Sequence, residues 1–517
     1  MKERTIGAGI RSGFEACRST AASAIRGAAA RMGIRSTSIV LAAFALGLAS
    51  IGATPQLAAA QTVTRGPYLQ RPTPTGMIVR WRTDVATTSR VAYGAAPGSL
   101  TTTVDDGAST TEHVVTLTGL TPATTYYYSV GSITTPLAGN DSNHFFATAP
   151  PTGSPRRLRI WTIGDAGFTG TDLDAVRDAY VTHTGSSHAD LFLLLGDNAY
   201  LLGTDAQYQA AVFNEHAAML RSTPVWSVFG NHEAVSSNSV TQTGAYFDMF
   251  TFPTAGEAGG VASGTESYYA FDYGNVHFIV LDSEQAPTSS TTPMRTWLGA
   301  DLAATTADWT IALWHRPPYS RGLLHNSDVE VAEINMRQYV LPVLEFYGVD
   351  LVLCGHSHSY ERSYFLDGHY GMAGTFSGAN QVDAGDGDPL GDGAYTKTGP
   401  GPIPHSGAVY VVNGSGSEVR SATLDHPAMR VGLLELGSMV IDIYGSRLTA
   451  RFLNDAADVR DRFRIEKPAA LPATSERGSL LLAALLAATA LAGRRTTRLR
   501  WCRAPAPSRA PQRPTQS

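Results

Sequence analysis

Five short polar motifs between residues 164 and 358 contain side chains that bind metal ions in proteins. Four of them begin with glycine, and the other is a histidine at the end of an apolar run. In chain order they are Gly164-Asp165-Ala166-Gly167, Gly196-Asp197-Asn198-Ala199-Tyr200, Gly230-Asn231-His232-Glu233, His315, and Gly355-His356-Ser357-His358. Their carboxylate, amide, phenol and imidazole groups offer oxygen and nitrogen but no soft sulfur, a set that suits iron, manganese or zinc. The motifs therefore predict a metal centre.

A carboxylate such as Asp197 can bridge two metal ions. Two ions about 3.5–4 Å apart can generate a hydroxide and stabilise both ends of an in-line displacement at phosphorus. A single Gly-Asp or Gly-Asn-His sequence is weak evidence, because such sequences often form turns or caps. All five motifs in order, each after an apolar stretch, predict a dinuclear centre that hydrolyses phosphoesters.

The elements that must position these motifs form an α/β pattern from residue 156 to residue 467. Short apolar runs alternate with helical stretches, which is typical of a layered α/β domain. Strands are predicted over Leu158–Ile163, Leu191–Leu195, Trp226–Phe229, Val276–Leu281, Trp309–Trp314 and Leu351–Leu353. Helices are predicted over Asp172–Thr182, Asp205–Leu220 and Val331–Phe346, and two or three antiparallel strands over Val431–Phe452. Ligand sites in such sheets form in the loops at the carboxyl ends of strands, so we expect the motifs to meet there.

Residues 62–150 are predicted to form a separate small β-sandwich. Alternating stretches at Met77–Arg82, Ser89–Tyr93 and His113–Leu117 are typical of strands. The segment Leu120–Val130 resembles the tyrosine corner and the following strand of fibronectin type III domains. A linker rich in proline and glycine is then predicted around residues 150–155.

The motifs resemble those of the calcineurin-like metallophosphoesterases and, among them, the purple acid phosphatases. The resemblance covers Leu158–Lys467, and the preceding sandwich is also similar. Gly-Asp-x-x-Tyr separates the purple group from the wider superfamily, and Tyr200 occupies the position of its ferric-ion ligand. The resemblance implies a layered α/β/β/α sandwich preceded by a fibronectin type III-like domain. It also implies a ferric ion beside a second, divalent ion of iron, zinc or manganese.

Carried over by position, the resemblance implies two metal sites that share Asp197 as the bridge. The ferric site would use Asp165, Asp197, Tyr200 and His358. The divalent site would use Asp197, Asn231, His315 and His356. His232 matches an outer histidine that contacts the substrate phosphate or the leaving group, and His325 lies at about the spacing of another such histidine.

The chain departs from the family pattern at two positions. Some relatives carry two adjacent histidines near position 325, whereas this chain has Leu324 before His325, so a surface-loop histidine stays an alternative. Ala312 stands where the family usually has valine, a change that should affect only packing. Glu361 and Arg362 match residues after the last motif in many relatives, and we expect them to support the site structurally.

Two further features allow either a structural or a functional interpretation. Tyr319 either lines the pocket or packs in the core. The loop Gly371–His405 is rich in Gly, Asp and Pro, which suggests calcium, but its spacing matches no known calcium loop. We therefore expect a solvated insertion there.

The predicted reaction is direct hydrolysis of phosphate monoesters, as in acid phosphatases. A metal-bound hydroxide would attack phosphorus in line, while His232, together with His325, stabilises the developing charge or protonates the leaving alkoxide. A ferric ion lowers the pKa of bound water strongly, which favours activity at acid pH. Two alternatives remain open: a phosphodiesterase or nucleotidase on the same scaffold, and a surface adhesion protein with a vestigial metal site. The expected substrate is a phosphorylated small molecule or protein.

Both ends of the chain carry targeting patterns. Basic residues before the apolar run Ile39–Ile51, with small residues at 58–60, predict a signal peptide over residues 1–60, and an uncleaved anchor is the alternative. After a linker at 468–477, the apolar run Leu480–Leu491 and the arginines behind it predict a short hydrophobic helix or sorting tail over residues 478–493. A basic disordered tail is expected at 494–517. These patterns predict a secreted, cell-surface or periplasmic protein, with membrane association through the C-terminal helix.

The composition is that of an ordinary folded protein, with 43% hydrophobic and 16% charged residues. The net charge of −5 argues against a general basic surface for nucleic acid. Of the three cysteines, only Cys354 lies in the body of the chain, so no disulfide can form within that body.

Overall fold

The computed structural model describes residues 61–289 and 291–468. The predicted signal peptide at 1–60, nearly all of the linker at 468–477, the hydrophobic helix at 478–493 and the tail at 494–517 lie outside the described residues. None of the helices in the described ranges has the length and apolar character needed to cross a bilayer. The targeting patterns at both ends therefore stay predictions.

Residues 63–147 form a six-stranded antiparallel sheet. Its strands are β1 (Val63–Thr73), β2 (Gly76–Gly94), β3 (Thr102–Leu117), β4 (Thr125–Gly131), β5 (Pro136–Gly139) and β6 (Phe145–Ala147). Strand β2 pairs with β1, β3 and β4, so it connects the two parts of the sheet around a core that contains Trp81, Leu117 and Tyr128. The hydroxyl of Tyr126 accepts a hydrogen bond from the backbone N–H of Thr121 at 3.0 Å, as in a tyrosine corner.

The prediction of separate strands at Met77–Arg82 and Ser89–Tyr93 was wrong, because both stretches belong to β2. The register between β2 and β3 shifts between Arg82 and Ser89. A bulge of this kind bends a strand and interrupts the alternation of side chains without ending the pairing. In sequence, such an interruption has the same pattern as a turn.

Two seven-stranded mixed sheets form the centre of the rest of the described chain. The first contains β7 (Leu158–Ile163), β8 (Leu191–Leu194), β9 (Val225–Ser227), β19 (Tyr395–Thr396), β22 (Gly437–Tyr444), β23 (Arg447–Asn454) and β24 (Val459–Glu466). The second contains β12 (Tyr269–Tyr273), β13 (Val276–Val280), β14 (Trp309–Leu313), β15 (Leu351–Cys354), β16 (Tyr360–Ser363), β20 (Val409–Asn413) and β21 (Met429–Leu433). Short pairs join β10 (Ser237–Asn238) to β11 (Thr243–Gly244) and β17 (Phe365–Leu366) to β18 (Gln381–Asp383).

The strand orders are β19-β24-β23-β22-β7-β8-β9 in the first sheet and β12-β13-β14-β15-β20-β16-β21 in the second. Strands β7, β8 and β9 are parallel, and so are β13, β14, β15 and β20. Each parallel block therefore directs the carboxyl ends of its strands to one edge of its sheet.

Eight α-helices lie between these strands in the described ranges. They are α1 (Thr171–Thr184), α2 (Asp205–Tyr208), α3 (Ala217–Leu220), α4 (Glu233–Ser236), α5 (Ala245–Met249), α6 (Pro293–Ala304), α7 (Val331–Asn335) and α8 (Leu341–Phe346). A π-helical turn, Gln209–Asn214, follows α2, and another, Met336–Val340, joins α7 to α8. Two 3₁₀ turns, Ala373–Thr375 and Gly378–Asn380, lie in the insertion after β17. Helix α6 was not predicted, although Pro293 at its first turn is a helix-start signal.

The two sheets pack face to face, with helices outside them. Along β14, Ile311 and Leu313 belong to the core between the sheets, whereas Ala312 belongs to the core that α6 and α8 share with the second sheet. Helix α1 contacts β22 and β23 of the first sheet. The prediction of a layered α/β/β/α fold is therefore confirmed, and the position of Ala312 makes it a packing residue.

The strands predicted over Val431–Phe452 belong to two different sheets. Strands β22 and β23 pair antiparallel, but β21 pairs with β16 in the second sheet. The apolar pattern shows that a segment is extended, whereas its partner depends on where the chain turns afterwards. The prediction of two or three antiparallel strands is therefore confirmed, with two of them paired to each other and the third, β21, paired in the other sheet.

The N-terminal sheet is fastened to the segments that follow the second and third motifs. The buried guanidinium of Arg65 donates to the Asp205 carboxylate at 2.9 Å, at the start of α2. The hydroxyl of Tyr68 donates to the backbone oxygen of Met249 at 2.7 Å. These contacts tie β1 to both segments.

Asp350 holds the end of the fold together, and removing its charge should destabilise the protein. Its buried carboxylate accepts hydrogen bonds from the ammonium groups of Lys397 and Lys467, each at 2.8 Å. We expect Asp350→Asn to lower the free energy of unfolding by about 3–5 kcal/mol, because two buried ammonium groups lose their counter-ion. Urea unfolding followed by circular dichroism measures this change.

The control for Asp350 is Glu435→Gln, which breaks the largely exposed pair with Arg460. It should cost less than about 1 kcal/mol. Equal losses in the two variants would contradict a special role for the buried group.

Candidate active site

The five motifs lie at the carboxyl ends of strands or just beyond them. Asp165, Asp197 and Asn231 follow β7, β8 and β9 of the first sheet, while His315 and His356 follow β14 and β15 of the second. The site therefore forms where the two parallel blocks end.

The loops approach one another so closely that glycine is required. A Cβ atom at Gly196 would lie 2.5 Å from Nδ1 of His315, and one at Gly355 would lie 2.5 Å from Oδ2 of Asp165. Asp165, Asp197 and His356 have positive φ angles of 55°, 53° and 69°. This conformation is uncommon for residues other than glycine and is found where the surrounding structure enforces it.

One group of side chains contains three of the predicted ferric ligands. The hydroxyl of Tyr200 donates to Oδ1 of Asp165 at 3.0 Å and lies 3.1 Å from Nε2 of His358. Nε2 of His358 is 3.6 Å from the same Asp165 oxygen. All three side chains are buried, and burial raises the pKa values of the Asp165 carboxyl and the Tyr200 phenol.

A second group contains the predicted divalent ligands. Nε2 of His315 lies 3.4 Å from Oδ1 of Asp197 and 3.2 Å from Oδ1 of Asn231. Asp197, His315 and His356 each have a possible ligand atom, and these atoms lie within 4.8 Å of one another. Burial alone would raise the pKa of Asp197, but His315 and His232 hold it below its usual range.

Each of the three predicted histidine ligands has one ring nitrogen within 3.0 Å of an oxygen atom. Nδ1 of His315 lies 2.9 Å from the backbone oxygen of Leu195. Nε2 of His356 lies 3.0 Å from Oε2 of Glu330, and Nδ1 of His358 lies 2.8 Å from Oε2 of Glu418. Metal-bound histidines typically hold the second nitrogen in this way, which fixes the tautomer and leaves the first nitrogen for the ion. The donor set therefore fits two hard or borderline cations.

Glu233 holds the second and third motifs together and was not assigned a role from sequence. Its buried carboxylate accepts backbone N–H groups of Gly230 at 2.9 Å and Asp197 at 2.8 Å, and the hydroxyl of Tyr208 at 2.8 Å. Glu233 directly follows His232 in the third motif, and this position was the sequence signal that could have identified it. Its hydrogen bonds join the loops that carry the proposed ligands Asp197 and Asn231.

The two predicted substrate histidines lie against different members of the ligand groups. His232 directs Nδ1 at the backbone oxygen of Leu201, at 2.6 Å, and its Nε2 lies 3.6 Å from Oδ2 of Asp197. His325 directs Nδ1 at Oε1 of Glu330, at 2.9 Å, and its ring centroid is 3.8 Å from that of His356. The structure thus places His325 beside the proposed ligands rather than in an isolated surface loop.

Arg316 and Glu330 are neighbours of the site that sequence reasoning missed. Arg316 pairs with both Glu284 and Glu330, and its terminal nitrogen lies 2.9 Å from Nε2 of His356. Arg316 directly follows His315, which was a weak sequence signal for its place near the site. Glu330 lies at the start of α7, and the spacing of the motifs could not predict its contact with His356.

The remaining predicted supports are structural. Glu361 accepts a hydrogen bond from Ser320 Oγ at 2.5 Å, and Arg362 forms a buried ion pair with Asp461. The hydroxyl of Tyr319 donates to the backbone oxygen of His369 at 2.5 Å, and the ring is fully buried. Tyr319 is therefore a core residue and does not line the site.

Two family models match the chain in consecutive segments. Residues 67–148 match the purple acid phosphatase N-terminal domain, and residues 158–360 match the calcineurin-like phosphoesterases. The chain is therefore similar to the purple acid phosphatase family in both segments. The second match begins at β7 and ends at Tyr360, so it contains every predicted metal ligand.

Related proteins agree with this family. The chain is 31% identical to purple acid phosphatase 15 of Arabidopsis thaliana over 279 residues, which are 48% of this chain and 49% of that protein. It is 29% identical to purple acid phosphatase 23 of the same plant, over 48% of this chain and 57% of that protein. The chain thus spans about half the length of these curated relatives.

Solved structures show the same fold. A purple acid phosphatase, PPD1, from yellow lupin (Lupinus luteus) superposes with a TM-score of 0.61 at 18% identity, over 80% of this chain and 78% of that one. The structure titled PhoD gives a TM-score of 0.55 at 13% identity, over 78% of this chain and 90% of that one. At these identities the likeness concerns the fold alone.

The carboxylates behind the two paired histidines should strengthen metal binding. Glu330→Gln and Glu418→Gln would remove the charge that orients His356 and His358, respectively. We expect each change to weaken metal retention by about 10–100-fold. Competition with a chelator, followed by metal analysis, measures the loss.

Glu257→Gln is the matched control for these two variants, because Glu257 lies outside the five motifs and pairs with Arg71. Its metal retention should equal that of the wild type. Wild-type retention in both the Glu330 and Glu418 variants would show that these carboxylates do not act on the ligands.

Proposed function

We propose that the protein is a metal-dependent hydrolase of phosphate monoesters, of the acid phosphatase type. The observation that carries the proposal is the gathering of three buried histidines, His315, His356 and His358, around Asp165 and Asp197. The similarity to the purple acid phosphatases supports it.

The proposed ferric ligands are Asp165, Asp197, Tyr200 and His358, and the proposed divalent ligands are Asp197, Asn231, His315 and His356. When bound, two such ions activate water and neutralise charge on the transferring phosphoryl group. Tyr200 is the residue that favours a ferric ion, since its phenol oxygen reaches both Asp165 and His358. The second ion is iron, zinc or manganese in this proposal.

His232 and His325 handle the proton and the leaving group in the proposed reaction. The backbone oxygen of Leu201 engages Nδ1 of His232, which leaves Nε2 to hold a proton beside Asp197. Glu330 engages Nδ1 of His325 in the same way. A proton held at either Nε2 can pass to the departing alkoxide oxygen, or a hydrogen bond from it can stabilise the developing charge.

We also propose export of the protein and a phosphorylated small molecule or protein as its substrate. The pattern of residues 1–60 supports export to the cell surface, the periplasm or the medium. Association with a membrane through residues 478–493 is also part of this proposal. That segment lies outside the described residues.

Asp197→Asn tests the proposed function. The change removes the shared carboxylate, so turnover of p-nitrophenyl phosphate should fall by about 1,000-fold or more, because the ions supply several kcal/mol. Asp172→Asn, on the exposed face of α1, is the control and should keep wild-type turnover.

Full phosphatase turnover in the Asp197 variant would falsify the assignment. Faster turnover of bis-p-nitrophenyl phosphate than of the monoester by the wild type would instead indicate a phosphodiesterase on the same scaffold. Absence of turnover in fully metal-loaded wild type would indicate a vestigial site.

Tyr200→Phe tests the ferric site separately. A tyrosinate bound to ferric iron gives a visible charge-transfer band, so the purified wild type should be coloured and this variant should lose the band. Tyr444→Phe, at a residue that is 68% exposed, should keep it. A colourless wild type that contains only zinc or manganese would contradict the iron proposal and leave the hydrolase proposal intact.

A further inference from the structure

Large apolar side chains are exposed on the two loops that carry the substrate histidines. Leu201 and Leu202, directly after Tyr200, are 53% and 50% exposed. Leu323 and Leu324, directly before His325, are 61% and 64% exposed. A single exposed leucine needs no explanation, but grouped apolar side chains beside a binding site usually contact a ligand or a partner.

Backbone contacts hold each loop in place, so the exposure of the four leucines is a property of the folded structure. The backbone oxygen of Leu201 engages His232, and the N–H of Leu202 donates to Oε1 of Gln207 at 3.0 Å. On the other side, Arg321 and Asn326 form a β-bridge that encloses both leucines in a tight loop. The folded chain therefore presents these four side chains to solvent at fixed positions.

The two leucine pairs lie on the loops that hold the two substrate histidines. The backbone oxygen of Leu201 lies 2.6 Å from Nδ1 of His232, and Leu323 and Leu324 directly precede His325, whose ring centroid is 3.8 Å from that of His356. An ester whose phosphoryl group lies at the ligands, with its leaving oxygen near these histidines, would direct its leaving group towards these loops. Alkyl or aryl carbon there would cover the apolar surfaces.

Charges around these loops argue against a polyanionic substrate. Arg316 pairs with Glu284 and Glu330, and Arg420 pairs with Glu418. Arg321 pairs with Asp425 at 3.2 Å. Recognition of further phosphate groups needs charge-assisted bonds from cations, and these three guanidinium groups are already engaged by carboxylates.

We propose that the site selects phosphate monoesters with an apolar leaving group, such as alkyl or aryl chains, over nucleotides and sugar phosphates. This inference rests on the proposed monoesterase function. The four leucines are specificity-determining residues in it, because their side chains would contact the leaving group and not the reacting atoms.

The test is the rate of hydrolysis of ethyl, butyl, hexyl and octyl phosphate by the metal-loaded full chain. These substrates share nearly the same leaving-group chemistry, so differences in kcat/KM report binding of the chain. We expect kcat/KM to rise with length by at most about fourfold per methylene, the factor that corresponds to about 0.8 kcal/mol for a buried CH₂. Ribose 5-phosphate and adenosine 5′-monophosphate should fall below octyl phosphate.

Leu202→Ser and Leu323→Ser should reduce the ratio of octyl to ethyl kcat/KM by about fivefold or more each, since each removes apolar contact area. Leu390→Ser is the matched control, because Leu390 is 79% exposed on the insertion and should leave the ratio unchanged. The wild-type series needs no variant, so a folding defect in a variant does not remove the test.

The outcomes separate the inference from the function that it rests on. Hydrolysis of all four esters at equal kcat/KM would overturn the inference and keep the monoesterase. No hydrolysis of any monoester would overturn both. If the leucine variants lost sedimentation with phosphatidylcholine vesicles but kept the wild-type ratio, the leucines would bind a membrane and the inference would be wrong.

Discussion

The close approach of loops from two sheets is the constraint on which the site depends. Proposed ligands come from β7, β8 and β9 of one sheet and from β14 and β15 of the other, so the sheet edges must meet within a few ångströms. Glycine at positions 196 and 355 permits this approach, because a Cβ atom would overlap His315 or Asp165. Glu233 then satisfies the backbone N–H groups that the tight turns leave without a partner. The packing of the two sheets therefore determines the geometry of the site.

The same approach creates an electrostatic cost that cations would relieve. Asp165 and Asp197 are buried side by side, and each carboxylate disfavours the charge of the other. Without metal, the imidazolium of His315 supplies compensation, since Asp197 overcomes the effect of burial and raises the pKa of His315 to about 10. Bound ions would replace that proton, so metal binding and the stability of the folded chain are linked.

Much of this arrangement could be predicted from sequence, because the carboxyl ends of parallel strands meet at one edge. That rule brings Asp165, Asp197 and Asn231 together without any knowledge of loop shape. It cannot identify Glu330 or Glu418, which reach the paired histidines from a helix start and a late loop. It also cannot assign β21 to a sheet, since the sequence of an extended apolar segment does not show which strand it pairs with. Local pattern gives the elements and their polarity, whereas side-chain contacts between distant segments require the fold.

The two substrate-facing histidines are held by different kinds of acceptor, and this difference has a consequence for the reaction. His232 depends on a backbone oxygen, whose position is fixed by the loop after Tyr200. His325 depends on Glu330, whose other oxygen engages His356. A change in the orientation or charge of His356 therefore reaches His325 through one carboxylate. A change at Asp197 reaches His232 directly, since Nε2 of His232 lies 3.6 Å from Oδ2 of Asp197. Both sides of the site therefore couple ligand geometry to the handling of the leaving group, through a shared carboxylate at β15 and through a proposed ligand itself at β8.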